Sequence, residues 1–372
     1  MRERCDIVMP VWNHAGETVD CVNSIKRYTA CPYRIVIVDN ASDEQTKKRL
    51  DSLKEENAGR VVIIANPVNT GFVKAVNQGM RFSDAPYVCI LNNDTTVTPG
   101  WLGEMIDIFK GNPGVGIVNP SSNTFGDVYS GAIKNLRGKY QELCGARAFA
   151  VVIKKEVIEK IGYLDEAFGM GYFDDVDYSK RAGREGFKTV KARASYVYHK
   201  ESVSFSKIAK KSDIFRENEK KFISKWGAQL RIAYVLPGAG REREIEKISS
   251  NINRIADLGH HAWIFTKRGL NSKLRLIDHE AIRFFYCPRV FFGFFAFYKI
   301  WERRNKKKLD LVLTNGPAIL KSFKFFKSIL AANVMPDSDF VSIEKKISVI
   351  SFGHCEPLTS KMSRAKQSQG KS

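Results

Sequence analysis

Paired cysteines, long apolar runs and acid in its second half are what this 372-residue chain lacks. Its seven cysteines, at 5, 21, 31, 89, 144, 287 and 355, are odd in number and scattered, with no Cys-x-x-Cys pair. That argues against a disulfide framework and a structural zinc site, and for a reducing compartment. Cys5 and Cys89 sit in apolar strand-like runs, where a buried free thiol is expected. No run reaches the ~18 apolar residues needed to span a bilayer. The opening Met1-Arg-Glu-Arg-Cys-Asp runs straight into a strand, with no signal-peptide core. A cytoplasmic protein is expected.

The charge is unevenly placed. Residues 1–199 hold 26 Lys and Arg against 24 Asp and Glu, while residues 200–372 hold 34 against 16. A near-neutral first part and a strongly basic second part suggest two surfaces or two jobs. The basic part suits anionic lipid, a diphosphate-linked acceptor or an acidic glycan. No nucleic-acid motif accompanies it, so no nucleic-acid partner is expected.

A hydrophobic content of 44% and this length allow two separate cores. Over the first ~110 residues, short β-rich runs alternate with helical-period segments. Strands are expected at Cys5–Val11, Arg34–Asp39, Arg60–Ala65 and Tyr87–Leu91, with helices at Glu17–Thr29, Asp43–Leu53 and Phe72–Phe82. Such alternation implies an α/β fold with a mostly parallel sheet, helices on both faces and ligands beyond the strands' carboxyl ends. Residues 112–141 read mainly as loop. Two short strands (187–191, 195–199) follow, ending at His199, then a basic helix over 205–226. At Gln229 the pattern restarts as a second α/β unit, with strands expected at Arg231–Pro237, Ala262–Thr266, Ile282–Tyr286, Leu309–Leu313 and Ile347–Ser351. Residues 359–372 read as a disordered basic tail.

Polar residues gather at the strand ends: Asn13 and His14, Asp39 and Asn40, Asn66 and Asn69, and Asn92 to Asp94. Four acids lie close together further on: Asp165, Asp174, Asp175 and Asp177. Buried without counter-charge they would repel one another, so a metal, a sugar hydroxyl or a diphosphate complex is the expected reason for them. Asp177 reads as the cap of a helix running to Glu185, and Asn40 and Ser42 as caps of the helix after the second strand.

The motifs of residues 1–205 resemble the family 2 glycosyltransferases. They are Val8-Met-Pro-Val-Trp-Asn13, Ile37-Val-Asp-Asn-Ala-Ser42, Asn69-Thr-Gly-Phe-Val-Lys-Ala-Val-Asn77, Leu91-Asn-Asn-Asp-Thr95, Gly162-Tyr-Leu-Asp-Glu166, Phe173-Asp-Asp-Val-Asp177 and Val197-Tyr-His199. The branch most resembled includes rhamnosyltransferase-like and other bacterial surface-polysaccharide enzymes. The resemblance implies a GT-A fold over residues 1–227 and an inverting transfer from a nucleotide diphosphate sugar to a glycan or lipid-linked acceptor. It makes Asp175 the base, with Asp174 beside it in place of a more common Glu. Asp94 and His199 would hold Mg²⁺ or Mn²⁺. Asp39 would read the nucleobase with Pro10 and Val11 lining its slot, Asn93 would meet the ribose, and Asn69 and Gly71 would lie near the diphosphate and sugar. Asn at 92 and 93, where many relatives carry an acid, leaves that metal site less negative.

Residues 228–358 resemble, more loosely, the N-terminal half of a family 4, GT-B type glycosyltransferase, through Arg231–Pro237, Ala256-Asp-Leu-Gly-His260 and Phe352-Gly-His-Cys-Glu-Pro357. An incomplete Rossmann-like half-domain without a second active site is expected. Within it, Phe291–Trp301 reads as an aromatic helix with a basic end. It suits either a membrane interface beside a lipid-linked acceptor or, preferred here, a buried crossover whose basic end matches the helix dipole. The rival to an enzyme is a catalytically inactive scaffold that binds glycan or lipid through the basic half. A nucleotidyltransferase would need a phosphate loop where Val11-Trp-Asn-His-Ala-Gly16 stands.

Overall fold

The computed structural model describes residues 3–200, 211–238, 240–303, 308–326 and 332–353. It divides into two compact units, Met1–Lys220 and Lys221–Ser372.

The first unit opens as β1 (Cys5–Val11), α1 (Ala15–Tyr28), β2 (Tyr33–Asp39), α2 (Glu44–Glu56), β3 (Val61–Ala65), α3 (Phe72–Phe82) and β4 (Tyr87–Leu91). These four strands are parallel, in the order β3-β2-β1-β4. Buried on both faces, β1, β2 and β4 read as continuous apolar runs such as Ile35–Val38. Next come β5 (Thr95–Val97), α4 (Trp101–Gly111), β6 (Val115–Ser121), β7 (Tyr140–Glu142), β8 (Ala150–Lys154), α5 (Lys155–Ile161), α6 (Asp174–Arg184) and β9 (Lys188–His199), and α7 (Lys211–Trp226) spans the boundary at Lys220. The sheet continues β4-β8-β6-β9-β5, with β8 antiparallel to both its neighbours.

Three local expectations change. Residues 112–141 are not mainly loop, because Val115–Ser121 is a wholly buried strand between β8 and β9. Its glycine disguised it in the sequence and has a packing role. A Cβ on Gly116 would lie 2.6 Å from Val157 Cγ2 and 2.8 Å from Phe187 Cβ. The two strands expected before His199 are one, β9, whose pairing with β6 slips from Pro120–Ala192 to Ser121–Tyr196. That irregularity carries the strand past the residues read as a break. The helix after the acids begins at Asp174, not Asp177, so Asp177 lies inside its first turn and is not its N-cap.

The second unit has its own parallel sheet: β10 (Arg231–Leu236), β11 (His261–Thr266), β12 (Ile282–Tyr286), β13 (Leu311–Thr314) and β14 (Asn333–Pro336). Its helices are α8 (Glu242–Asp257), α9 (Phe292–Arg303), α10 (Pro317–Phe325) and α11 (Phe340–Phe352). The order β12-β11-β10-β13-β14 reverses direction between β10 and β13, as in a doubly wound sheet. The strand expected at Ile347–Ser351 is part of α11. Its β-branched residues suggested a strand, but Phe340, Ile343 and Ile347 are buried at helical spacing and Asp339 caps the start through Ser342 N at 3.0 Å. Helix α9 departs from a buried crossover: Phe292, Ala296 and Ile300 are buried, but Phe291, Phe294 and Tyr298 are exposed. The tail expected at 359–372, residues 205–210 of the basic helix and most of Phe352–Pro357 lie outside the described residues.

Candidate active site

The site is built at the carboxyl ends of β1, β2, β3 and β4. Main-chain bonds tie the first three ends together: Asn40 N donates to Val11 O (2.8 Å) and Asn66 N to Asp39 O (2.8 Å). Register sets Val11 against Asp39 and Pro10 against Val38, so the residues expected around a nucleobase adjoin. Asp39 is buried, and its carboxylate accepts from Ser42 N at 3.0 Å. Ser42 Oγ in turn accepts from Asn13 N (2.8 Å). Asn13, His14 and Ala41 all hold positive φ near 60°. Such backbone is disfavoured for residues with a Cβ and persists where surroundings over-determine it.

Neither Asn40 nor Ser42 caps α2. Asp43 does, accepting from Thr46 N at 2.8 Å. Asn40 is instead a hub. Its Nδ2 donates to Asn69 Oδ1 (2.8 Å) and Gly71 O (3.2 Å), and its Oδ1 accepts from Thr70 N (2.9 Å) and Thr70 Oγ1 (3.0 Å). Asn69 Oδ1 also accepts from Gly71 N (2.9 Å). The loop before α3 is thereby fixed onto the end of β2. Gly71 has φ 86°, and a Cβ there would lie 3.1 Å from Gly169 O and 3.3 Å from Met170 Sδ. The residue is glycine for its backbone and for that close approach. Two buried amides hold the facing loop. Asn77 bonds Leu164 N and O (3.0 and 2.9 Å), and Asn218 donates to Phe168 O (2.9 Å) and Gly171 O (2.7 Å).

At the end of β4, Asn93 turns inward. It is 7% exposed and its Nδ2 donates to Thr18 Oγ1 of α1 at 3.0 Å. Asn92 and Asp94 are half-buried. Antiparallel pairing of β5 with β9 sets Thr95 opposite His199, and Lys200 N donates to Asp94 O (3.0 Å). That register brings Asp94 Oδ1 to 3.2 Å from His199 Nε2. The imidazole is oriented from three sides. Thr124 Oγ1 lies 3.3 Å from Nδ1, Phe149 stacks on the ring at 5.0 Å, and Asn123 bonds the His199 main chain at N and O (2.9 and 2.8 Å).

The acid cluster separates by environment. Asp165 caps a short turn, accepting from Ala167 N at 3.1 Å. Asp177 is fully buried and pairs with Arg181 Nε at 3.0 Å, while the same guanidinium donates to Ile161 O and Tyr163 O. Asp174 and Asp175 remain in the first turn of α6, where the helix dipole favours anions. The turn is entered through Tyr172 and Phe173, both at φ near 68°. Asp175 Oδ2 accepts from Ala148 N (3.0 Å) and Oδ1 from Val176 N (2.8 Å). Burial raises its pKa, opposed by those N–H groups and by the nearby Arg147 charge. Burial raises Asp174 further, and the Asp175 charge adds to it; its Oδ2 is enclosed without a hydrogen-bond partner.

One turn joins the two halves of the site. Ala148 holds Asp175, while Phe149 O accepts from Asn92 N (2.8 Å) and its ring stacks on His199. Asn119 fixes that turn by donating to Arg147 O (2.7 Å) and Ala150 O (2.6 Å). Sequence reasoning gave Asn40 a helix cap in place of this hub, and missed Arg147, Phe149 and Asn119. Asn119 fell in the stretch read as loop, and Arg147 and Phe149 in the apolar stretch after it.

Among the described residues no group of three or more His, Cys, Asp or Glu is placed to hold a metal by itself. The pair Asp94 and His199 still fits a divalent ion shared with phosphate oxygens. Asn92 Oδ1 is enclosed without a hydrogen-bond partner, and Asp94 Oδ1 meets the His199 ring outside hydrogen-bond geometry. The 3.2 Å between Asp94 Oδ1 and His199 Nε2 is close to the edge of an octahedron with ligands at about 2.1 Å. Mg²⁺-type ions are commonly held by one or two protein ligands plus substrate phosphates and water.

Residues 6–158 match the model of the family Glycosyl transferase family 2. This part of the chain is a family 2 glycosyltransferase domain. A poly-beta-1,6-N-acetyl-D-glucosamine synthase of Staphylococcus epidermidis is 24% identical over 176 residues, covering 44% of this chain and 42% of that protein. The chain therefore spans less than half the length of that relative. Among solved structures, GalNAc-T7 with UDP, GalNAc and Mn²⁺ is 15% identical at a TM-score of 0.45, over 53% of this chain and 44% of that one. A mannosyltransferase of Pyrobaculum calidifontis in complex with GDP-Man and Mn²⁺ is 18% identical at a TM-score of 0.44, over 54% and 57%.

Proposed function

We propose that the chain is an inverting glycosyltransferase that moves a sugar from a nucleotide diphosphate sugar to a hydroxyl of a glycan or lipid-linked acceptor. One observation carries this reading. The 147–149 turn holds a desolvated carboxylate, Asp175, on one residue and orients the His199 imidazole that faces Asp94 on the next. A base and a diphosphate-metal site are the two requirements of such a transfer. Asp175 takes the proton of the acceptor hydroxyl through the carboxylate edge left by its two N–H donors. The acceptor oxygen forms its bond to the anomeric carbon as the bond to the diphosphate oxygen breaks on the opposite face, and the diphosphate leaves with the electron pair. Asp174 lies beside the base, and its buried charge raises the basicity of the pair. Asp39, with Pro10 and Val11, takes the nucleobase; Asn69 and Gly71 approach the diphosphate. Asn92, rather than Asn93, completes the polar rim there. Asp94 and His199 would hold Mg²⁺ or Mn²⁺, which when bound neutralises charge on the leaving diphosphate.

The name of the Staphylococcus relative supports a polysaccharide acceptor. The second unit, in this reading, is a half-domain without a donor site. Titration of UDP, GDP and dTDP with and without Mn²⁺ tests the metal assignment. Asp94→Ala is expected to abolish the Mn²⁺-dependent gain in nucleotide affinity, at least tenfold; an unchanged gain would contradict the assignment.

A further inference from the structure

Helix α9 is apolar on two faces. Phe292, Ala296 and Ile300 join the core of the second unit. Phe291, Phe294, Tyr298 and Trp301 are 74%, 66%, 47% and 36% exposed. Steps of four and three residues put Phe294, Tyr298 and Trp301 on one stripe, and Phe291 stands immediately before the helix. The end of α10 adjoins that helix, because the Phe326 ring packs 5.5 Å from Phe297 and 4.9 Å from Phe325. Phe325 is itself 80% exposed. Single exposed apolar residues are ordinary on a protein surface, but a contiguous aromatic surface marks an interaction site.

Its polar surroundings carry one sign. The described residues of 286–326 include six Lys and Arg against two acids. Arg289, Lys321 and Lys324 are exposed, and Glu302 is matched by Arg303 at 3.4 Å. We propose that this face docks on an anionic lipid bilayer, its aromatic rings entering the boundary between headgroups and acyl chains and its cations meeting lipid phosphates. A helix stripe of Phe, Tyr and Trp beside Lys and Arg matches the two attractions that such a surface offers.

Other occupants fit less well. A second copy would bring two like-charged basic surfaces together. The chain's own residues 354–372 carry four Lys and Arg against one acid and contain no Phe, Tyr or Trp, so they match neither the charge nor the rings. The proposal does not depend on the transfer reaction assigned to the first unit.

The test is co-sedimentation of the full chain with vesicles of phosphatidylcholine alone, or of phosphatidylcholine with about one third phosphatidylglycerol. The wild type is expected to bind the anionic vesicles and not the neutral ones, with binding lost as salt rises. The variant Phe291→Ser/Phe294→Ser/Tyr298→Ser should lose at least tenfold in vesicle affinity with an unchanged melting temperature, since the three side chains are exposed. Lys321→Glu/Lys324→Glu should also weaken binding. The proposal is overturned if the wild type ignores anionic vesicles, if the aromatic variant binds them equally well, or if the stripe instead mediates a dimer that the variant dissolves.

Discussion

Asp174 shows how much a single side chain can reveal about this site. It is 3% exposed, one of its oxygens has no hydrogen-bond partner, and it lies one residue from a second carboxylate. Burial first and the Asp175 charge second raise its pKa well above the ordinary carboxylate value. The linkage has a definite sign. A carboxyl whose folded pKa is raised contributes stability below its unfolded pKa and loses that contribution as pH rises through the folded value. The ionised form therefore costs stability at neutral pH. Asp174→Asn is expected to stabilise the fold at pH 7.5, a gain that shrinks as pH falls toward 4. Thermal melts of both proteins across that range check it, and a pH-independent difference would contradict the assignment. Such a cost is retained where a function needs the charge. Asp177, three residues on, shows the opposite case: equally buried, it is matched by Arg181.

At the scale of elements, the loops matter as much as the strands that carry them. Asn40 joins the end of β2 to the loop before α3 through both atoms of its amide. Asn40→Ala would leave several partly buried groups unsatisfied and is expected to cost roughly 2 kcal/mol. Chemical denaturation measures this, and a loss under about 0.5 kcal/mol would show that the loop holds without it. The four parallel strands and their helices were legible in the sequence because apolar runs and helical spacing repeat there without interruption. The strand-end residues were legible for the same reason. Strand β6 was not, since Gly116 and Pro120 imitate loop composition while tertiary packing decides the outcome. The 147–149 turn was hidden as well: its contribution is a main-chain N–H and a ring face, and neither leaves a residue pattern. Asn93 shows a further contact that its motif does not reveal. Its motif marks the right turn, but the turn sends its amide to α1.

For the whole molecule, the two units differ in charge and in what their strand ends offer. The first has polar residues at four strand ends and the acid site beyond them. In the second, the switch point between β10 and β13 is where a doubly wound sheet would take a ligand. There Asn315 Nδ2 donates to Gly238 O at 2.9 Å, joining the loops that would have to part. One nucleotide site per chain is expected, and calorimetric titration with the preferred nucleotide should give a stoichiometry near one; a second site of similar affinity would refute the division. Among the described residues no helix is long and apolar enough to cross a membrane. The account's central claim is that the chain transfers a sugar with Asp175 as base. Its most direct test is transfer by the full chain from a panel of nucleotide sugars in the presence of Mn²⁺, comparing wild type with Asp175→Asn. The account predicts that the variant loses about 10²- to 10⁴-fold in rate while binding the nucleotide as before. Undiminished turnover by Asp175→Asn would contradict it.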